Sequence, residues 1–305
     1  VRILVLGGAG FIGAHLTRRL TADGHDVTIV DDFSRGRDDL GVPVIHADLT
    51  DPAAWAGLEK GWDQVYHLAA VVGVRNVVGA PARTMRVNTL ALAYLLDWIE
   101  PGTKLFFAST SEAYAGGVTA GVVPVPTPET VPLHIEDVGA PRFAYAISKL
   151  WGEAAVLHSG VPAVIGRFHN VYGPRMGADH VIPELSLRAI KGENPFIVYG
   201  SEQRRAFCYI DDAVEAMVAL MASEDAVGQI VHIGDDTAET QVADLVRLVH
   251  EVAGVSPELE HVPAPEGSVA RRCPDLGRLR ELTGYQPRVP LAEGVRRTFE
   301  WYRDN

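Results

Sequence analysis

The stretch VRILVLGGAGFIG, residues 1–13, decides the fold. Residues 1–6 are apolar apart from Arg2, the pattern of a strand buried on both faces. The run ends at Gly7. Apolar residues then recur at helical spacing from Phe11 to Ala22, and Gly24 stands just beyond, where a helix C-cap is expected. Gly7, Gly10 and Gly13 occupy the turn between strand and helix. Glycines there let the backbone approach a pyrophosphate, whose charge the helix N-terminus favours. With 30 glycines in 305 residues, such a triplet arises by chance roughly 0.3 times per chain. Its place directly after the opening strand is therefore what makes it specific.

Working outward, buried strands are expected at residues 27–30, 42–46, 64–68, 104–108 and 163–167. Helices are expected at 52–58, 82–99 and 144–158. Steady alternation of strand and helix predicts an α/β fold with a doubly wound parallel Rossmann sheet. The pattern loosens after Asn170, with helices expected at 182–191, 212–221, 242–252 and 291–302. We therefore expect a dinucleotide-binding domain over residues 1–170. Residues 171–305 are expected to form a smaller C-terminal substrate lobe, with some segments returning to the main sheet. Residues 115–136, with four prolines and three glycines, read as a long loop.

Composition narrows the function. At 305 residues, 47% hydrophobic and 22% charged, the chain can bury a sizeable core, which excludes disordered and fibrous classes. The 39 acidic residues against 27 basic give a formal charge of −12, so nucleic-acid and membrane-surface partners are not expected. No run of about 20 apolar residues is present, and no transmembrane helix is expected. The first residues read as a core strand, which leaves no room there for a signal peptide. Two cysteines, Cys208 and Cys273, cannot build a disulfide framework and point to a reducing, cytoplasmic compartment. His67, His169 and His180 are too scattered for a metal site, and none is expected.

Asp31 ends the second strand. An acid there accepts from the ribose hydroxyls of an adenosine and repels a 2′-phosphate, which favours NAD over NADP. Arg35 and Arg37 follow closely and leave NADP open. Asp48 either accepts from the adenine amino group or is a helix N-terminal acid. Tyr145 and Lys149 stand four apart on an expected helix and so share a face. A phenol at pKa about 10 is a poor base at neutral pH, and bringing it to about 7 takes roughly 4 kcal/mol of phenolate stabilisation. A nearby ammonium and a positive nicotinamide ring are plausible sources.

With these residues in hand, the chain resembles the extended short-chain dehydrogenase/reductases that modify nucleotide sugars. GGAGFIG, Asp31, Asp48, HLAA (67–70), Asn88, STSEAY (109–114), YAISK (145–149), RFHNVYGP (167–174) and RRAFCYIDD (204–212) follow that family's order. The resemblance implies a retained NAD, with Phe11, Ile12, Leu49, Leu68, Ala69, Ala70 and Asn88 joining the glycines, Asp31, Asp48, Tyr145 and Lys149 around it. It implies that Tyr145 removes a sugar hydroxyl proton while NAD takes the hydride from C4. Thr110 would share the proton relay. Ser111 stands where the family's sugar 4,6-dehydratases carry Asp, and serine is too weak an acid to protonate a departing hydroxyl. Glu112 stands where they carry a base at C5.

The Thr110-Ser111-Glu112 set is most similar to that of UDP-glucuronate decarboxylases. Arg142, Arg205, Arg271 and Arg272 match the same pattern and would hold a nucleotide-diphosphate sugar, together with Asn170 and Tyr199. Two features depart from it. After HL the chain has AAVVGVRNVVGAP (69–81) where those decarboxylases carry their own proline-containing segment, and RFHN is also similar to GDP-mannose 3,5-epimerases. The resemblance further implies a homodimer through a four-helix interface, formed by the helices expected at 82–99 and 144–158. The readings carried forward are decarboxylation of UDP-glucuronate to UDP-xylose, a 4-epimerase, a dehydratase, and a non-catalytic dinucleotide-sensing protein.

Overall fold

The computed structural model describes residues 1–264 and 268–305. In chain order the first elements are β1 (Arg2–Leu6), α1 (Phe11–Ala22), β2 (Asp26–Asp31), β3 (Val44–His46), α2 (Pro52–Ala56), β4 (Gln64–His67), α3 (Val74–Gly79) and α4 (Pro81–Trp98). Then come β5 (Lys104–Thr110), a 3-10 turn (Ser111–Tyr114), α5 (Ala115–Thr119), α6 (Phe143–His158) and β6 (Ala163–Phe168). Strands β1 to β6 pair in parallel, in the order β3-β2-β1-β4-β5-β6, and the strand Ile230–Ile233 extends the sheet beyond β6. That is the doubly wound Rossmann order, and it reverses between β1 and β4. The glycine turn leaves β1 at this switch point, where such sheets take their ligands.

The chain divides into two compact units. The first comprises Val1–Ala113, Asp137–Phe168 and Val214–Val231; the second comprises Tyr114–Glu136, His169–Ala213 and His232–Asn305.

In the first unit the apolar strands bury both faces. Leu4, Leu6, Val65, Leu105, Phe107 and Ile165 pack with Leu92 and Leu95 of α4 and Val156 of α6. Truncating a fully buried member such as Leu92 to Ala costs about 2–5 kcal/mol. Helix α1 closes as its sequence suggests: Gly24 N–H donates to Thr21 O and His25 N–H to Leu20 O, the paired bonds of a Schellman end. Helix α6 lies close against β5 because residue 152 is glycine. A Cβ there would sit 2.4 Å from the Phe107 ring and 3.0 Å from Leu92.

The second unit packs the helices Val181–Ile190, Val242–Ala253 and Leu291–Asp304 against one another. Its strands are short: Arg204–Ala206 lies between Glu239–Gln241 and Arg271–Arg272, Val171–Tyr172 pairs with Cys208–Tyr209, and Phe196–Tyr199 pairs with Leu259–Val262.

Two expectations need correction. The long loop over residues 115–136 opens with a helical turn, α5, preceded by the 3-10 turn, so helical backbone continues without a break from Ser111 to Thr119. Strand β5 continues past Ala108 to Thr110, because Ser109 and Thr110 pair with Arg167 and Phe168 of β6. Among the described residues, no helix is long and apolar enough to cross a membrane.

Candidate active site

The glycine turn is shaped by contact as well as by conformation. Gly7 has φ +81°, and a Cβ there would stand 2.6 Å from Ala69 N, in the segment that follows β4. Gly10 is the N-cap of α1 and offers no side-chain cap, and no acid occupies the first turn. The leading N–H groups of a twelve-residue helix are therefore presented together with its positive dipole end, which suits a diphosphate. Phe11 and Ile12 open the helix, half-buried.

Asp31 is buried at the end of β2, and its carboxylate is already engaged. Oδ2 accepts from Ala9 N–H at 3.0 Å and Oδ1 from Phe33 N–H at 2.9 Å. Burial raises its pKa above the ordinary value, and these backbone donors oppose the rise. A carboxylate offers about four acceptor positions, so capacity for a diol remains. The donor set thus fits a dinucleotide. Asp48 is exposed and makes a tight local turn, accepting from the backbone and hydroxyl of Thr50, both at 2.8 Å. The acid at the N-terminus of α2 is Asp51, which accepts from Ala53 N–H at 2.9 Å. Leu49 is buried, and its carbonyl accepts from Trp55 Nε1. Leu68, Ala69 and Ala70 are half-buried beyond β4.

The chemical end is built on β5, the turn after it and α6. Thr110 and Ser111 are buried at the strand end. Thr110 Oγ1 accepts from Glu112 N–H at 3.1 Å and hydrogen-bonds Tyr145. Burial and then the Glu112 carboxylate hold the Tyr145 phenol well above its ordinary pKa, and the Thr110 bond works against them. The expected lowering of the phenol is therefore not supplied by these side chains. Lys149 stands one turn further along α6. Its ammonium is buried against aromatic rings, 4.9 Å from the Phe107 centroid and 5.9 Å from that of Tyr145. Burial lowers its pKa to about 8, against an opposing pull from Glu153.

Two further groups fix this helix face. Asn88 of α4 donates to Ser148 Oγ at 3.1 Å and accepts from Val71 N–H at 2.7 Å. His67, buried at the end of β4, stacks on Phe107, and burial followed by the Lys149 charge lowers its pKa to about 3. His67 is therefore neutral at any working pH. Arg142 precedes α6, with its guanidinium 4.6 Å from the Phe143 ring centroid.

The sequence reading missed Glu153, Ser148 and the part played by Arg167. Glu153 is buried and accepts from Ser109 Oγ at 2.5 Å, from Arg167 Nε at 2.7 Å and from Arg167 Nη2 at 2.5 Å. The available signal was spacing: Tyr145, Lys149 and Glu153 recur every four residues along one helix.

In the second unit, strand register places Arg271 opposite Arg204 and Arg272 opposite Arg205. Arg271 donates to both Glu239 oxygens, at 2.6 and 2.9 Å, and to Val125 O at 3.1 Å. Arg205 donates to Arg204 O and to Gln203 Oε1. Asn170 adopts φ +41° and donates to Ala206 O at 3.0 Å. Tyr199 is exposed. Among the described residues, no group of three His, Cys, Asp or Glu is arranged to hold a metal ion.

Residues 3–234 match the model of the NAD dependent epimerase/dehydratase family, and the chain belongs to that family of enzymes. It is 34% identical to UDP-glucuronic acid decarboxylase 1 of Xenopus tropicalis, over 99% of this chain and 72% of that protein. It is 33% identical to the UDP-N-acetyl-alpha-D-glucosaminuronate decarboxylase of Bacillus cytotoxicus, over 99% of this chain and 98% of that one. Among solved structures, the UDP-glucose 4-epimerase of Thermotoga maritima with UDP-glucose is similar at a TM-score of 0.88 and 30% identity. That match covers 100% of this chain and 99% of the other.

Proposed function

We propose that the chain is an NAD-dependent decarboxylase of UDP-linked uronates, with UDP-glucuronate as substrate and UDP-xylose as product. The observation that carries this reading is the Thr110–Tyr145 hydrogen bond beside the Glu112 carboxylate, with Ser111 where elimination would need a stronger acid. Both decarboxylase relatives act by name on UDP-linked uronates, which supports the same substrate class.

NAD, when bound, would accept the hydride from C4, return it to C4 once carbon dioxide has left, and bring a positive ring that favours the phenolate. Gly7, Gly10, Phe11, Ile12, Gly13, Asp31, Asp48, Leu49, Leu68, Ala69, Ala70 and Asn88 would hold it, with Tyr145 and Lys149. Tyr145 takes the C4 hydroxyl proton. The oxidised sugar is a β-keto acid, and loss of carbon dioxide leaves an enolate at O4. Thr110 and Tyr145 donate to that oxyanion. Glu112 orients the water that returns a proton to C5. Arg142, Asn170, Tyr199, Arg205, Arg271 and Arg272 are assigned to the substrate on the family likeness, with Arg142 or Arg205 at the carboxylate.

A second reading, a UDP-hexose 4-epimerase, is favoured by the similarity to the Thermotoga maritima enzyme. A mass spectrum of products from a panel of UDP-sugars separates the readings. Loss of carbon dioxide supports decarboxylation, loss of water a dehydratase, and conversion without mass change an epimerase.

We also place the protein in the cytoplasm, as a homodimer formed through α4 and α6. Both cysteines are free and buried, which suits a reducing compartment. Met85 on α4 and Trp151 and Leu157 on α6 are exposed apolar side chains that suit a helical interface. Sedimentation at micromolar concentration tests the dimer.

A further inference from the structure

A buried ion pair lies behind the reactive helix face. Arg167 of β6 and Glu153 of α6 have side chains only 2% and 5% exposed, and they meet through two nitrogen–oxygen contacts. Such a pair is poor evidence for stability, because well-packed apolar residues usually serve a core as well or better. Its position suggests another purpose. Glu153 is one turn beyond Lys149 and two beyond Tyr145. Its Oε1 also accepts from Ser109, the residue next to Thr110, which bonds Tyr145. One carboxylate thus ties together β5, β6 and the face of α6 that carries the reactive pair.

We propose that Glu153 is a positioning residue: clamped by Arg167 and Ser109, its carboxylate is the fixed counter-charge of the Lys149 ammonium and, through it, of the Tyr145 phenol. This rests on the proposed role of Tyr145 and Lys149. The groups that bear on the pair are few. From α6 they are Glu153 itself, from β4 the neutral His67, from β6 Arg167, and from the turn after β5 Glu112. Glu153 is the acid that opposes the desolvation of Lys149. Without it, the buried ammonium is left facing the Phe107 and Tyr145 rings and the neutral imidazole of His67.

The test uses the NAD-loaded protein and two variants. Glu153→Gln keeps shape and one acceptor but removes the charge. Glu153→Gln with Arg167→Met removes the pair together, which cores tolerate better than one unpaired charge. Tyrosinate absorbance, taken as the difference from the Tyr145→Phe protein, is followed against pH, and kcat and KM are measured in parallel. Without that counter-charge Lys149 gives up its proton more readily, and the phenol then loses the positive charge that favours its ionisation. The phenol of the single variant is expected to titrate about one pH unit higher, with kcat reduced about tenfold and KM unchanged. The double variant is expected to shift in the same direction by less, and it carries the test by itself if the single variant does not fold. Titration at the parent's pH, or at lower pH, in either folded variant overturns the proposal, including when only thermal stability has fallen. The absorbance titration needs no substrate, so it reads the pair even if decarboxylation of UDP-glucuronate is not the reaction.

Discussion

Asn88 Nδ2 lies 3.1 Å from Ser148 Oγ, joining α4 to the turn of α6 that carries both Tyr145 and Lys149. The same amide accepts from Val71 N–H, and Ser148 Oγ passes a bond on to Tyr145 O at 2.8 Å. One side chain therefore sets the helix face relative to the segment after β4. Asn88→Ala leaves the Val71 N–H without its acceptor. We expect a loss of about 1–3 kcal/mol in urea unfolding. Turnover should fall further than that loss explains, because the helix face is no longer held.

Lys149 costs the fold something at neutral pH. Its pKa is about 8 in the folded protein against 10.5 for the free side chain. Between those values the unfolded chain binds more protons, so this group's contribution to stability rises with pH across that window. Lys149→Met should therefore be more stable than the parent below about pH 8, by on the order of 3 kcal/mol, and inactive. The advantage should disappear by pH 10.5. Urea midpoints at several pH values give the comparison. An advantage that does not change with pH would contradict the assignment.

Glu112 acts on Tyr145 from the turn after β5, raising its pKa. Glu112→Gln removes that repulsion, so the acid limb of kcat/KM should move to lower pH. At the plateau, kcat should fall on the order of tenfold or more, through loss of the group that orients water at C5. A pH-rate profile of the variant measures both effects. Their opposite signs separate the electrostatic part from the proton-delivery part.

Much of the first unit is legible in the sequence because its strands are buried on both faces and read as unbroken apolar runs. Residues 1–6, 64–68 and 163–167 fall within a residue of the observed strands. The short strands of the second unit, such as Val171–Tyr172 and Arg271–Arg272, are too brief to show a period. At the site, Tyr145 and Lys149 declare themselves by spacing on a helix, and Thr110, Ser111 and Glu112 by following a strand end. Partnerships across the chain are silent in one sequence. Asn88 finds Ser148 sixty residues on, and Ser109 finds Glu153 forty-four residues on. Nor does the sequence reveal that burial and Glu112 hold the Tyr145 phenol high, since only packing sets that balance.

The role of Tyr145 is best tested by carbon dioxide release from UDP-glucuronate, measured for the parent and for Tyr145→Phe after both have been shown to hold NAD equally. The parent should release carbon dioxide, and Tyr145→Phe should do so about 100- to 10,000-fold more slowly while keeping the dinucleotide. Equal release from the two proteins would contradict the assignment of the phenol as the proton acceptor.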